Sequence, residues 1–226
     1  MPSRKDIFVN GGFYHIFNKT LDKRDLFQLK EMSQIFLHLM VYYRSCSSRI
    51  RFSHYRRLPL PTRKMIDKKI RNKKNYKVEI LAYCLMPNHF HFLLKQKRNN
   101  GVIRFMSDTV NSITRYYNEK YKRSGPLFLT QFKSKRIRGH EQLLHTSRYI
   151  HLNPYSGNVL KTAKEIETYD LSSFREYITD VTVKRCDTGF ILDLFKQNRK
   201  RYKEFVCANA EYQRSIERIK QREKFT

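Results

Sequence analysis

Glycine and proline are scarce in this chain, at 7 and 6 of 226 residues, which excludes collagen-like and proline-rich architectures. The four cysteines, Cys46, Cys84, Cys186 and Cys207, contain no CxxC pair, so neither a structural zinc site nor a thioredoxin-like motif is written here. They are expected to stay unpaired in a reducing compartment, mostly as small buried hydrophobes. No apolar run approaches the roughly 18 residues that a spanning helix needs. The opening MPSRKDIFVNGGFYHIF lacks an apolar core followed by a small-residue cleavage site. A cytoplasmic, nucleoid-associated protein without a membrane partner is therefore expected. Acidic residues are also few. Against 47 Lys and Arg stand only 20 Asp and Glu, leaving a formal charge of +27. Such an excess points to a polyanion, above all nucleic acid.

What is present is enough for a core. Hydrophobic residues make up 40%, and 16 Phe and 15 Tyr supply bulk, so wholesale disorder is excluded. The length is about one and a half times the rough 150-residue domain prior. That suits one main domain, 1–180, followed by a basic helical extension, 181–226. Asn10-Gly11-Gly12 reads as a turn before a strand at 13–19. Leu29, Met32, Phe36, Leu39 and Tyr43 recur at helical spacing, predicting a helix over about 24–45 with Asp22 or Asp25 as its cap. Residues 49–77 hold twelve Lys and Arg and one acid, Asp67, and read as a solvated basic insertion (about 47–77) with a short helix near 62–73, close to nucleic acid when it is bound. The run VEILAYCLM at 78–86 reads as a central strand covered on both faces. Pro87-Asn88 then marks a turn into a second strand, HFHFLL at 89–94. A helix over 102–121, a strand over 127–137, and a helix over 139–154 stopped by Pro154 complete the order. This is the ferredoxin-like split β-α-β-β-α-β pattern of an α+β fold, with an extra helix after it and a helical C-terminal appendage. The apolar set of that appendage is Phe190, Leu194, Phe195, Tyr202, Phe205 and Val206.

Two constellations can carry chemistry. Alternation along a strand puts His89 and His91 on one face, about 7 Å apart, and Phe90 and Phe92 on the other. Two such imidazoles can chelate a divalent metal if a third ligand arrives from elsewhere. Taken alone, the pair also fits two hydrogen-bonded histidines on a half-buried face. On the last helix of the pattern, His145, Tyr149 and Asn153 are spaced i, i+4, i+8 and share a side, apart from the apolar stripe of Leu143 and Ile150. By helical geometry alone Tyr149 reads as an amphipathic surface tyrosine, the usual case among 15 tyrosines.

Taken together, FYHIFNKT at 13–20, LMPNHFHFLL at 85–94, SGPLFLTQFKS at 124–134 and SRYIHLNP at 147–154 resemble the single-tyrosine HUH transposases, in particular their REP-associated tyrosine transposase branch. The likeness spans roughly 8–175. It implies that His89 and His91 are the metal-binding pair, that Tyr149 is the nucleophile, and that Asn153 completes the metal site one turn later. It implies Mg²⁺ or Mn²⁺ as cofactor and single-stranded or hairpin DNA as partner, cut and rejoined through a tyrosine 5′-phosphate. Tyr116 and Tyr117 are rival nucleophiles by chemistry but lie outside the matching segments. His145 and His151 match no role. Lys133, Lys135, Arg136 and Arg138 are candidates to hold backbone phosphates. Relatives use the tyrosine of their own chain or of a partner, so both a monomer and a homodimer are open. Three other readings remain: a non-catalytic RRM-like RNA binder, which would need aromatics where the histidines stand; a metal hydrolase, which would need more carboxylates; and a domesticated relative that binds repeat hairpins without cutting.

Overall fold

A computed structural model of the chain describes residues 7–223. Four antiparallel strands, β1 (Phe13–Lys19), β2 (Val78–Met86), β3 (His89–Gln96) and β4 (Lys133–Ile137), form one sheet in the order β2-β3-β1-β4. Helix α1 (Lys30–Tyr43) and the insertion helices α2 (Phe52–Arg57) and α3 (Leu60–Arg71) lie between β1 and β2, and α4 (Gly101–Lys120) lies between β3 and β4. After β4 come α5 (His140–Ser156), the short α6 (Phe174–Ile178) and α7 (Gly189–Asp193), then α8 (Arg199–Cys207) and α9 (Ala210–Arg222). The result is an α+β fold with helices on both faces of an antiparallel sheet. Among the described residues no helix is long and apolar enough to cross a membrane.

The two faces carry separate cores, and strand alternation decides which side chain joins which. Tyr14 and Ile16 of β1, Phe90, Phe92 and Leu94 of β3, and Tyr83 and Leu85 of β2 pack under α1 and α4. Leu93 of β3 and Ala82, Cys84 and Met86 of β2 face the other way, with Leu143, Ile150 and Leu152 of α5 and with Phe174, Tyr177, Tyr202 and Val206. A bulge between Ile80 and Ala82 resets the alternation of β2, so that Ile80 and Tyr83 share a face although three residues apart.

Four expectations are corrected. First, β2 is an edge strand, not a central one. Its free edge is covered by the 171–173 segment, where the N–H of Leu85 donates to the carbonyl of Leu171 and that of Ser173 to Tyr83, which explains its uninterrupted apolar run. Second, the first helix begins at Lys30 rather than near residue 24, without a side-chain cap. Asp22 and Lys23 take left-handed φ of 58° and 52°, and the 20–29 segment instead braces the β2–β3 turn: the N–H of Thr20 donates to Asn88 and that of Phe27 to Pro87. Third, only Lys133–Ile137 of the 127–137 region is strand. Fourth, α5 runs through Pro154 to Ser156. The proline costs one backbone bond and crowds the turn before it, but residues 150–156 are all buried, and that packing carries the helix to Gly157. The four cysteines are all free; Cys84 and Cys186 are buried, while Cys46 is exposed.

Helix α8 is fastened to the sheet by a buried polar chain. The Tyr202 hydroxyl lies 2.8 Å from Nδ1 of His151, whose Nε2 lies 2.8 Å from Oγ of Ser173; that oxygen accepts the Tyr83 N–H. Burial lowers the His151 pKa to about 3. Tyr202→Phe should therefore cost about 1–3 kcal/mol, the usual penalty for stranding a buried polar atom, read as a lower denaturant midpoint. An unchanged midpoint would contradict this. Unfolded His151 takes up its proton near pH 6.5 while the folded one resists to about 3. Stability should thus fall between those values as the solution is acidified, by about 1.4 kcal/mol per pH unit for this group.

Candidate active site

The site is built on β3, the inner strand between β2 and β1. His89 pairs with Met86 on one side and Lys19 on the other, and His91 pairs with Cys84 and Phe17. Both imidazoles leave the sheet on the face that α5 covers, their ring centres 5.1 Å apart. Each has its Nδ1 engaged. In His89 it lies 2.8 Å from Oδ1 of Asn88, the turn residue braced by the 20–29 segment. In His91 it lies 2.9 Å from Nε2 of His15, whose ring stacks on it from β1 at 5.1 Å. Asn88 Oδ1 can only accept, so His89 carries its proton on Nδ1 and keeps Nε2 as a bare lone pair. The same tautomer of His91 follows when it donates to His15.

Burial, followed by the Lys19 charge, lowers the His89 pKa to about 4. Burial, then Lys135, brings His15 to about 4. Burial puts His91 well below the ordinary histidine range, with His15, His89 and Lys19 adding to it. All three rings are neutral at pH 7, the form that binds metal.

Helix α5 lowers Tyr149 onto this face. Its ring stands edge-on at 5.8 Å from both His15 and His91. Its backbone carbonyl accepts from Nε2 of Gln213 on α9 at 3.0 Å. Burial first, then the Glu217 carboxylate and Cys84, push the phenol up to about 12. Left alone it is a neutral, reluctant nucleophile. One turn on, Asn153 is 5% exposed, and its Nδ2 is buried with no hydrogen-bond partner among the described residues.

The other candidates fall as follows. Lys133 and Lys135 pair with Phe17 and His15, which places them on the histidine face; Arg136 pairs with Tyr14 and belongs to the opposite face, and Arg138 lies beyond the strand end. Tyr116 and Tyr117 lie on α4, across the sheet, bonded to Glu31 and Arg24. His145 is exposed beside Glu141 and Arg148, and His151 is in the core. Sequence reasoning missed His15, Lys19 and the approach of α9. The alternation of FYHIFNK sets His15 and Lys19 apart from Tyr14 and Ile16, but it does not say which strand lies alongside.

Among the described residues no three His, Cys, Asp or Glu side chains form a metal-binding group. Two neutral imidazoles with a buried carboxamide whose nitrogen is unpartnered among the described residues do suit a divalent cation that keeps open positions for phosphate and water. Amide O and N are interchangeable by a half-turn of the side chain, so the group that is unpartnered here can offer its oxygen.

The chain is similar to a family described as transposase IS200 like, whose model matches residues 49–153. That stretch is just under half of the chain and contains His89, His91, Tyr149 and Asn153. Nothing among curated proteins matches. One solved structure, a REP-associated tyrosine transposase bound to a REP hairpin, superposes with a TM-score of 0.53 at 15% identity, covering 84% of this chain and 93% of that one. The likeness establishes a shared fold.

The His15 contact makes a testable statement about the free protein. In long-range ¹H–¹⁵N spectra at neutral pH, His89 and His91 should both be Nδ1–H tautomers. His15→Phe should shift His91, and not His89, toward the Nε2–H form, and His15→Gln, which can still accept, should restore it. A His91 unmoved by His15→Phe would show that the contact does not select the tautomer.

Proposed function

We propose that this chain is a single-tyrosine HUH transposase of the REP-associated type: an endonuclease and strand-transfer enzyme acting on single-stranded DNA at hairpin or repeat-end sequences. The observation that carries this reading is the seating of Tyr149 edge-on over His91 within one chain, with the unpartnered Asn153 amide one helical turn away. The family match over 49–153 and the shared fold support it, as does the strand order, which agrees with a split β-α-β-β-α-β plan.

In this reading His89, His91 and Asn153 hold Mg²⁺ or Mn²⁺. When bound, the ion polarises a non-bridging phosphate oxygen and stabilises charge on the departing 3′ oxygen. The remaining work falls to the protein. Asn88 and His15 fix the tautomers that turn Nε2 of His89 and His91 toward the ligand side. Tyr149 presents its hydroxyl oxygen to phosphorus. The Tyr149 O–P bond forms, the P–O3′ bond breaks, the phenol loses its proton and the 3′ oxygen gains one. The exchange of one phosphodiester for another lets the same step run backward to rejoin strands. Lys19, Lys133 and Lys135, all on this face, hold neighbouring phosphates. A phenol pushed up to about 12 by burial makes deprotonation the demanding part, so adduct formation should accelerate as pH rises above neutrality. A splayed single strand or hairpin end gives the phosphate access that a paired duplex denies.

The contacts of Tyr149 with His15 and His91 of its own chain support a reading in which one protomer suffices. Incubation with labelled single-stranded DNA and Mn²⁺ should leave a denaturant-resistant adduct, abolished by Tyr149→Phe and retained by Tyr116→Phe and Tyr117→Phe. Asn153→Ala should weaken Mn²⁺ binding, followed by calorimetry in the absence of DNA, by about 10-fold or more, the range seen when support of a metal site is lost. Mixing His89→Ala chains with Tyr149→Phe chains should restore nothing. An adduct that survives Tyr149→Phe would falsify the assignment of the nucleophile, and recovery on mixing would place the tyrosine in a partner chain.

A further inference from the structure

The face of the sheet away from the histidines carries a furrow that the chemistry above does not use. Helices α1, α2 and α4, with the 48–51 loop, enclose a space of about 730 Å³. A smaller hollow of about 320 Å³ shares Arg49 and Ile50 with it and continues toward Ile66 and Lys69 of α3. The furrow is built rather than incidental. The Tyr43 hydroxyl lies 2.8 Å from Oγ of Ser112 on α4 and accepts the N–H of Phe52 on α2 at 3.1 Å, locking three helices around it. Tyr42 holds Phe52 and Tyr55 at ring distances of 5.3 and 4.8 Å, which anchors the basic insertion to α1.

The lining has two characters. Ile50 and Phe52 give it an accessible apolar wall, and the buried Ile35 and Leu39 line its floor. Arg49, Arg51, Arg56, Arg57 and Arg115 line it as well, are all exposed, and among the described residues none of the five is in an ion pair. The lining acids are two: Asp108, which takes the Lys77 ammonium at 3.0 Å, and Glu119, while Lys120 is bound to Glu31. Arg56 also lies within electrostatic reach of Glu31 and bonds the Tyr116 hydroxyl, but five exposed guanidiniums against two lining acids leave the hollow net positive, which favours a polyanion. A single small anion would reach only some of them. A chain of phosphates running along the two connected hollows reaches them in turn, and the apolar wall suits the face of an unpaired base or a sugar, which a duplex keeps to itself.

We propose that this furrow is a second nucleic-acid site. It holds a single-stranded segment, with phosphates on Arg49, Arg51, Arg56, Arg57 and Arg115 and a base or sugar against Ile50 and Phe52. The sheet separates this furrow from Tyr149, so the strand held here flanks the attacked phosphate rather than containing it. Only the statement that this strand belongs to a cleaved substrate rests on the transposase reading; the binding itself needs neither metal nor Tyr149.

The test is fluorescence anisotropy of the full chain, without metal, with a long labelled oligodeoxynucleotide over a range of salt. Arg56→Ala/Arg115→Ala removes two furrow charges, and Lys64→Ala/Lys68→Ala removes two exposed charges of α3 outside it. The furrow pair should weaken binding by about 10-fold and reduce the slope of log K against log salt by about 1.4, the loss of two single-strand phosphate contacts at ~0.7 each. The α3 pair should change both far less. Ser53→Glu, which sets an anion in the wall without deleting any contact, should weaken binding as well. Adduct formation on a short oligonucleotide confined to the cleaved segment should be unaffected by all of these. Equal losses from the two pairs would reduce the furrow to general electrostatics and overturn the proposal, as would an equal loss on a duplex of the same length. If the wild-type chain forms no adduct at all while the furrow pair still binds poorly, the transposase reading fails and the furrow stands.

Discussion

The burial of α5 against the sheet is the contact on which the rest depends. Leu143, Ile150 and Leu152 join Cys84, Met86 and Leu93 in one apolar cluster, and the chain His151–Tyr202 and His151–Ser173 fixes the helix from behind. This packing determines where Tyr149 stands relative to β3. It also accounts for the low pKa values of the histidines, because the same helix that delivers the phenol removes water from the rings. At its far end α5 comes so close to β2 that a Cβ on Gly157 would lie 2.6 Å from Cε of Met86, the residue paired with His89. The tyrosine, the amide and the two imidazoles are thus placed by one rigid-body relation between a helix and a strand.

That relation sets up an electrostatic division of labour. The chain is strongly cationic, with a formal charge of +27, yet the rings at the site are kept neutral by burial and by nearby lysines. Positive charge is placed at the margin, on Lys19, Lys133 and Lys135, where in the proposed reading phosphates are held without competing for the lone pairs of His89 and His91. The phenol is subject to the same rule in reverse. Burial and the Glu217 carboxylate keep its proton on. In the proposed reading, a site with these settings is inert by itself and becomes reactive only when an anionic strand and a cation are brought together in it.

Much of this was legible in the amino acids. The alternation in HFHFLL sets the two histidines on one face of their strand, and the i, i+4 spacing sets Tyr149 and Asn153 on one side of their helix. Local periodicity sufficed there because each statement concerns a single element. His15 was not legible, since its role depends on β1 lying beside β3, a fact of sheet order that no window of sequence contains. The apolar run of β2 read as a central strand because coverage by the 171–173 segment imitates a neighbouring strand in its demand for apolar residues on both faces. Pro154 read as a stop because local backbone preference favours one, and seven consecutive buried residues outweighed it. The late start of α1 has the same origin: the 20–29 segment is committed to the β2–β3 turn, a contact about 60 residues away in the chain.

The central claim is that one phenol, two neutral imidazoles and one amide of a single chain converge on one phosphate. Diffraction from crystals of the Tyr149→Phe chain with Mn²⁺ and a single-stranded oligonucleotide addresses it most directly, through the anomalous signal of manganese. The account predicts one strong peak bound by Nε2 of His89, Nε2 of His91 and the side-chain oxygen of Asn153, sharing a phosphate oxygen with the strand, the ring of the substituted residue 149 lying against that phosphorus. Manganese bound elsewhere, or a strand whose nearest phosphate is out of reach of residue 149 in the same chain, would contradict it.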